Sequence, residues 1–306
     1  MDTLYIIGNG FDIYHGLPTT YADFHQYISG YNPELEDQLE EYFRLGTGKN
    51  YLWKDFEADL ATFCYKSFFD AHDNSDTLSE SYKPSDAFGV QDEITEEAER
   101  LVSNLQEAFR EWVEGIEIHE EVPSSIKPLE FSKTAKFLNF NYTATLEILY
   151  QIPREQILYI HNKAEEYRGE LIFGHGKQEE SIPRTDDLDE YGNSNRTPFT
   201  DAEDAARAVF YEFIKPTDEV IKVHKAFFKG LRHIKNIQIL GHSAAEVDWP
   251  YFQLISQYAS MAEWAITYYG RQDRDDKLKQ ASQMLNLAST KIKLIQFSDL
   301  FIIDRL

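Results

Sequence analysis

The 306-residue sequence predicts an α/β fold: a Rossmann-like, mostly parallel sheet flanked by helices, with an all-helical insertion. Three observations predict it. Short apolar runs of strand length alternate with helical patterns at both ends of the chain. Five of those runs (LYIIGNG, KFLNFN, ILYIH, LIFGHG and IQILGHS) break off into glycine, asparagine or histidine. Between the first run and the second, residues 31–130 show helical spacing and no strand signal.

The elements follow in order. Leu4 to Ile7 make a short buried strand, and Gly8-Asn9-Gly10 give the backbone freedom for a sharp turn into a helix. Thr20 with Asp23 resembles a capping box that opens the helix YADFHQYI. Pro33 takes the first turn of the next helix, with Leu35, Leu39, Tyr42 and Phe43 along one face. Phe56, Leu60 and Phe63 mark another. Ile94, Ala98, Leu101, Leu105, Ala108, Phe109, Trp112, Val113 and Ile116 keep helical spacing through the longest one. Residues 72–90, rich in Ser, Asp, Asn and Pro, read as a loop.

Strand signals return at Lys136–Phe140. NYTATLEILY then reads as a helix, and ILYIH and ELIFGHG as strands. Residues 177–200 have no period and many breakers, and form a long exposed loop or lid. A helix pair over 202–232, interrupted at Pro216, leads into IQILGHS. An aromatic-rich helix from Asp248, the strand WAITYYG, a polar helix near 274–288 and the strand KIKLIQF complete the chain. The expected organisation is a Rossmann-like nucleotide-binding core of residues 1–30 and 131–306, and an acidic helical insertion at 31–130.

Composition excludes several classes. With 42% hydrophobic and 14% aromatic residues, the chain is no disordered protein. No apolar run approaches the ~20 residues of a membrane span, and the start of the chain lacks a signal-peptide pattern, so a cytoplasmic location is expected. The single cysteine, Cys64, rules out an intramolecular disulfide framework and a cysteine-rich zinc site. Net charge is −23, and residues 31–130 carry 25 acidic against 8 basic side chains; the rest is nearly balanced, with 28 against 22. That balance argues against broad nucleic-acid binding. A small anionic ligand remains open, because backbone amides at a helix start can hold phosphate without lysine. The insertion is expected to sense a trigger or mediate self-association, and its acidity favours a basic or protein partner.

The chemistry gathers at the strand ends. In an open parallel sheet, ligands bind beyond the carboxyl ends of the strands. Gly8, Asn9 and Gly10, followed by Phe11, suit a turn that cradles a pyrophosphate, and equally an ordinary tight turn. Asp12 stands where it can bind a ribose hydroxyl or cap a turn. Asn139 and Asn141 alternate with Leu138 and Phe140, which puts both amides on one face. Asn141 can orient a water or a sugar hydroxyl, or cap the following helix. His161 is the natural general base at neutral pH, and a structural histidine is the plain alternative. His175 and His242 repeat its placement and raise a metal site, but no metal-binding spacing of the HExxH kind accompanies them. Gly241, His242 and Ser243 can present donors to a ribose or phosphate. Glu246 or Asp248 can take a ribose diol, and Asp248 before Trp249-Pro250 is also a good helix cap.

IIGNGFDIYHGLPTTYADF, W-x-DFE at Trp53–Glu57, FNYTATLE, YIH, IFGHG and GHSAAEVDWPYF together resemble the bacteriophage abortive-infection family AbiH, in order across nearly the whole chain. The same skeleton looks like the broader sirtuin-like group of NAD-binding folds. That resemblance implies NAD as substrate, with Gly8, Asn9 and Gly10 at the first turn, Asn141 as the motif asparagine, His161 as the catalytic histidine, and Gly241 with Ser243 at the ribose. The chain departs from the pattern at Asn139, Phe140, Thr143 and Asn162, and carries Asp12 where serine is common. Lacking a zinc-binding cysteine module, it is not expected to be a protein deacetylase, and no metal is expected. The implied function is antiphage NAD⁺ glycohydrolysis, with Asn141 and His161 catalytic. Two alternatives stand beside it: a non-catalytic NAD or ADP-ribose sensor, and a metal-dependent phosphoesterase or nuclease drawing on His161, His175, His242 and Asp12.

Overall fold

The structure, a computed structural model, describes residues 2–45, 55–73, 86–121, 126, 128–164, 170–178, 188–297 and 299–300. Its strands are β1 (Thr3–Ile7), β2 (Lys136–Asn139), β3 (Ile157–Tyr159), β4 (Asn236–Leu240), β5 (Glu263–Tyr268) and β6 (Ile292–Gln296). They form one open sheet in the order β3-β2-β1-β4-β5-β6, and every pairing is parallel. The α/β, Rossmann-like expectation is met. The strand order reverses direction between β1 and β4, which is where sheets of this order hold their ligands.

The helices are α1 (Asn9–Tyr14), α2 (Tyr21–Tyr31), α3 (Pro33–Tyr42), α4 (Phe56–Asp59), α5 (Tyr65–His72), α6 (Asp86–Glu114), α7 (Thr145–Tyr150), α8 (Pro198–Glu212), α9 (Thr217–Val223), α10 (Lys225–Lys229), α11 (Trp249–Tyr258) and α12 (Arg271–Leu285). None among the described residues is long and apolar enough to cross a membrane.

The chain divides into two compact units. The first, Met1–Thr20, Val113–Ile172 and Pro216–Leu306, contains the sheet. Alternate residues of β1 enter different core layers. Leu4 and Ile6 pack with Leu138, Ile239, Phe252 and Met284, whereas Tyr5 and Ile7 pack with Phe11, Phe137, Leu146 and Phe297. Burial on both faces is why these strands read as unbroken apolar runs rather than as alternating ones.

The second unit, Tyr21–Trp112 and Phe173–Lys215, is helical and is drawn from two stretches of sequence. Residues 173–215 therefore group with the helices, not with the sheet, whereas a division at 31–130 leaves them in the core. Aromatic packing explains the grouping. Phe24 meets Phe109 and Trp112 at 5.2 and 5.0 Å between ring centres, and Phe109 stacks on Phe173 at 4.4 Å. Ile94, Ala98, Leu101, Leu105, Ala108, Phe109 and Trp112 are all buried along α6, as their spacing predicts. Pro33 opens α3, and Asn32 caps it by accepting from the Leu35 amide at 3.1 Å.

Two local expectations are corrected. Phe56, Leu60 and Phe63 do not share one helix: α4 tightens into a 3₁₀ turn over Leu60–Thr62 before α5 begins. LIFGHG is not a strand either, and its pairing is one isolated bridge, His175 with Ile214. Gly174 has φ +136, and a side chain there would lie 2.0 Å from the Phe213 carbonyl oxygen. The His175 amide bonds to that same oxygen at 2.9 Å, so the segment is pinned to the end of α8. Trp53, residues 74–85 of the serine-rich loop and residues 179–187 of the long loop lie outside the described residues. Residues 188–197 fold back on Asp189, whose carboxylate accepts from the Tyr191 and Asn193 amides.

Candidate active site at the strand ends

Four of the five polar strand ends belong to the first unit, at the carboxyl edge of β1, β2, β3 and β4. The β1 and β4 exits interlock. Gly8 N bonds to Leu240 O at 3.0 Å, Gly10 N to Gly241 O at 2.8 Å, and Phe11 N to Gly8 O at 2.8 Å. A side chain at Gly8 would fall 2.5 Å from His242 Cα. The glycine at position 8 is thus required by backbone packing against the β4 exit. Three amides that a pyrophosphate would use already have carbonyl partners, and α1 is only six residues long. Asn9 donates its side-chain amide to Thr19 O at 2.6 Å and ties the turn to the chain that follows. The Phe11 ring is fully buried beside His15 and Tyr150, within the core.

The β2 exit presents the first polar cluster. Asn139 Oδ1 accepts from the Asn141 amide at 3.1 Å, which shapes the backbone so that Asn141 Nδ2 reaches Gly8 O at 3.2 Å. Asn141 does not cap α7, whose capping position is Ala144. Beside it lies Asp12, 1% exposed, whose Oδ2 accepts from Thr143 Oγ1 at 2.5 Å. Thr143 in turn meets Thr145 at 3.0 Å. Asp12 Oδ1 is buried with no partner at hydrogen-bonding geometry. Burial pushes the Asp12 carboxyl up to about 6, against the opposing pull of Thr143, Thr145 and Asn141.

A second cluster joins the β3 and β4 exits. His161 and His242 each present Nε2 to Asp248, at 3.7 Å to Oδ1 and 3.5 Å to Oδ2. All three residues are buried. Phe140, the residue between the two asparagines, packs edge-on against both imidazoles, at 5.2 and 4.3 Å. The β2 exit therefore carries Asp12 and Asn141 contacts through one set of residues and both histidines through the next. Ser243 is exposed, and its carbonyl accepts from Lys277 at 2.7 Å. Asp248 stands at the capping position of α11 but makes no capping bond, and its carboxylate faces the two histidines.

The order of these segments in the chain coincides with a known family: the model for bacteriophage abortive infection AbiH matches residues 4–269. The chain belongs to the AbiH family. Membership assigns it an antiphage abortive-infection role. Both clusters lie inside the AbiH match, whereas α12 and β6 lie beyond it. No curated protein and no solved structure matches the chain.

Some candidates belong to the helical unit. His175 belongs to the helical unit, where Nε2 lies 3.1 Å from Phe210 O and burial drives its imidazole down to about 4. It is a neutral structural histidine. Among the described residues, the donor group close enough to share an ion is His25, Glu36 and Glu40, also in the helical unit. His25 and Glu36 already pair there at 2.8 Å. Several site neighbours escaped sequence reasoning. Thr145 joins the Asp12 cluster, Thr267 receives the Gly241 amide at 2.9 Å, and Tyr269 donates to Gly10 O at 2.6 Å. Each acts through the fold, and no local pattern marks it.

Proposed function

We propose that this AbiH protein binds NAD⁺ across the carboxyl edge of β1–β4 and hydrolyses the bond between nicotinamide and ribose. The observation that carries the reading is the presence of a buried carboxyl (Asp12), a buried amide (Asn141) and a buried imidazole facing a carboxylate at 3.7 Å (His161 with Asp248) at the strand exits around the switch point. Cleaving an N-glycosidic bond develops positive charge on the sugar and consumes a water. In this reading Asn141 orients the water or a ribose hydroxyl, Asp12 takes a second hydroxyl, and His161 accepts the water's proton. General-base assistance of that kind contributes about 10²–10⁴ in rate. All three groups are buried, as a site that excludes bulk water requires. The proposed resemblance to sirtuin-like NAD-binding folds points to the same ligand. The amides of Gly8, Gly10 and Phe11 are bonded to backbone carbonyls, so in this reading they are not the donors to the pyrophosphate.

Incubation of the purified protein with NAD⁺, with nicotinamide followed by chromatography, tests the reading. Release that falls by about 10² or more in Asn141→Ala and in His161→Ala supports it. A nucleotide that raises the melting temperature without yielding nicotinamide would instead make the protein a sensor. No stabilisation and no turnover would remove NAD⁺ altogether.

A further inference from the structure

Within that reading, the two residues around His161 define its chemistry further. We infer that His242 and Asp248 are positioning residues that fix the proton of His161 on Nε2 and make Nδ1 its basic nitrogen.

Ala244 fixes the tautomer of His242. Its backbone N–H lies 2.8 Å from His242 Nδ1. An amide can only donate, so Nδ1 of His242 accepts. A ring that accepts at Nδ1 is neutral and carries its proton on Nε2, the nitrogen that faces Asp248 Oδ2 at 3.5 Å. His242 is thus a neutral donor to the carboxylate, although its distance alone would pass for an ion pair. The geometry that turns the Ala244 amide is a strained one. Ala244 has φ +60, a conformation that costs a non-glycine residue about 1–2 kcal/mol. Two donors hold it there: Trp249 Nε1 at 2.9 Å and Gln280 Nε2 at 2.8 Å both bond to Ala244 O.

Asp248 passes the constraint on. Its other oxygen faces His161 Nε2 at 3.7 Å. An unprotonated Nε2 there would set a lone pair against a buried carboxylate, whereas a protonated one is attracted to it. The ring cannot easily turn away, because Phe140 meets its edge at 5.2 Å, Tyr142 faces it at 6.3 Å with the planes 29° apart and Tyr251 closes the third side at 6.0 Å. With the proton on Nε2, the lone pair of neutral His161 sits on Nδ1. A proton taken from water at Nδ1 yields an imidazolium next to the Asp248 carboxylate, which stabilises it.

Site-resolved nitrogen NMR of histidine-labelled protein reads the protonated nitrogen in each ring, with His161→Gln and His242→Gln used to assign the signals. Nε2–H in both neutral rings is expected. Nδ1–H in either ring of the unaltered protein would overturn the inference, whether or not NAD⁺ is a substrate. In Asp248→Asn the amide offers N–H groups to His161, so its proton should move to Nδ1, and kcat for nicotinamide release should fall about 10²–10⁴-fold with KM little changed. An unchanged tautomer in folded Asp248→Asn would equally defeat it. If that variant does not fold, the spectrum of the unaltered protein decides. Failure of NAD⁺ hydrolysis with the expected tautomers intact would reject the proposed reaction and leave the positioning assignment standing.

Discussion

Replacing Asp12 by asparagine should remove a pH-dependent penalty from the stability of this protein. Asp12 is 1% exposed and its Oδ1 meets no partner at hydrogen-bonding geometry, so ionising it in the fold is costly. Burial raises the carboxyl from its ordinary 3.8 to about 6. A group whose folded pKa is raised contributes stability that is fully present below the unfolded value and lost as pH climbs through the folded one. The window is therefore pH 3.8 to about 6, and the loss over it is about 3 kcal/mol at 1.36 kcal/mol per unit. Roughly 1 kcal/mol of that falls between pH 5 and 7.5, above the isoelectric point near 4.7. Asparagine keeps an oxygen for the Thr143 hydroxyl and carries no charge at any of these pH values. Urea unfolding of both proteins at pH 5 and 7.5 isolates the effect, because other titrating groups cancel in the difference between them. Relative to the parent, the variant should gain about 1 kcal/mol on going from pH 5 to 7.5. Parallel pH dependence in the two proteins would show that Asp12 ionises freely, and the picture of a desolvated carboxyl would be wrong.

Two backbone positions give further tests. Gly174→Ala should destabilise the protein by about 2–4 kcal/mol by thermal or chemical unfolding, since φ +136 suits glycine and the new methyl would meet Phe213 O; near-neutral behaviour would contradict the pinned segment. Ala244→Gly should relieve strain and change stability by no more than about 1 kcal/mol in either direction, the relief at φ +60 being offset by glycine's unfolded-state entropy; a loss above about 2 kcal/mol would show that the alanine methyl, not the backbone turn, matters there.

Much of the sheet was legible because its strands are buried on both faces and read as apolar runs ended by small or polar residues. LIFGHG has the same composition and is no strand. What separates it is Gly174, whose backbone is set by contact with Phe213, some forty positions away in the chain. The second stretch of the helical unit was hidden for a similar reason: Phe173, Phe210 and Phe213 are equally suited to either core until the fold chooses. At the site, residue types pointed to the edge where Asp12, Asn141, His161, His242 and Asp248 stand. Their pairings were not legible. Asp248 looks like a helix cap in the sequence but turns to two imidazoles, and Phe11 looks like part of a ligand turn but fills the core. His175 shares the local pattern of His161 and His242, yet its ring is held by a backbone carbonyl of α8.

The most direct test of the central claim is a crystal structure of the His161→Ala protein grown with NAD⁺. Intact dinucleotide is expected, with its nicotinamide ribose at the β2 exit, hydroxyls within hydrogen-bonding distance of Asn141 and Asp12, and the reacting carbon facing the place vacated by the imidazole. A dinucleotide seated anywhere else, or its absence at saturating concentration from a well-ordered strand edge, would contradict it.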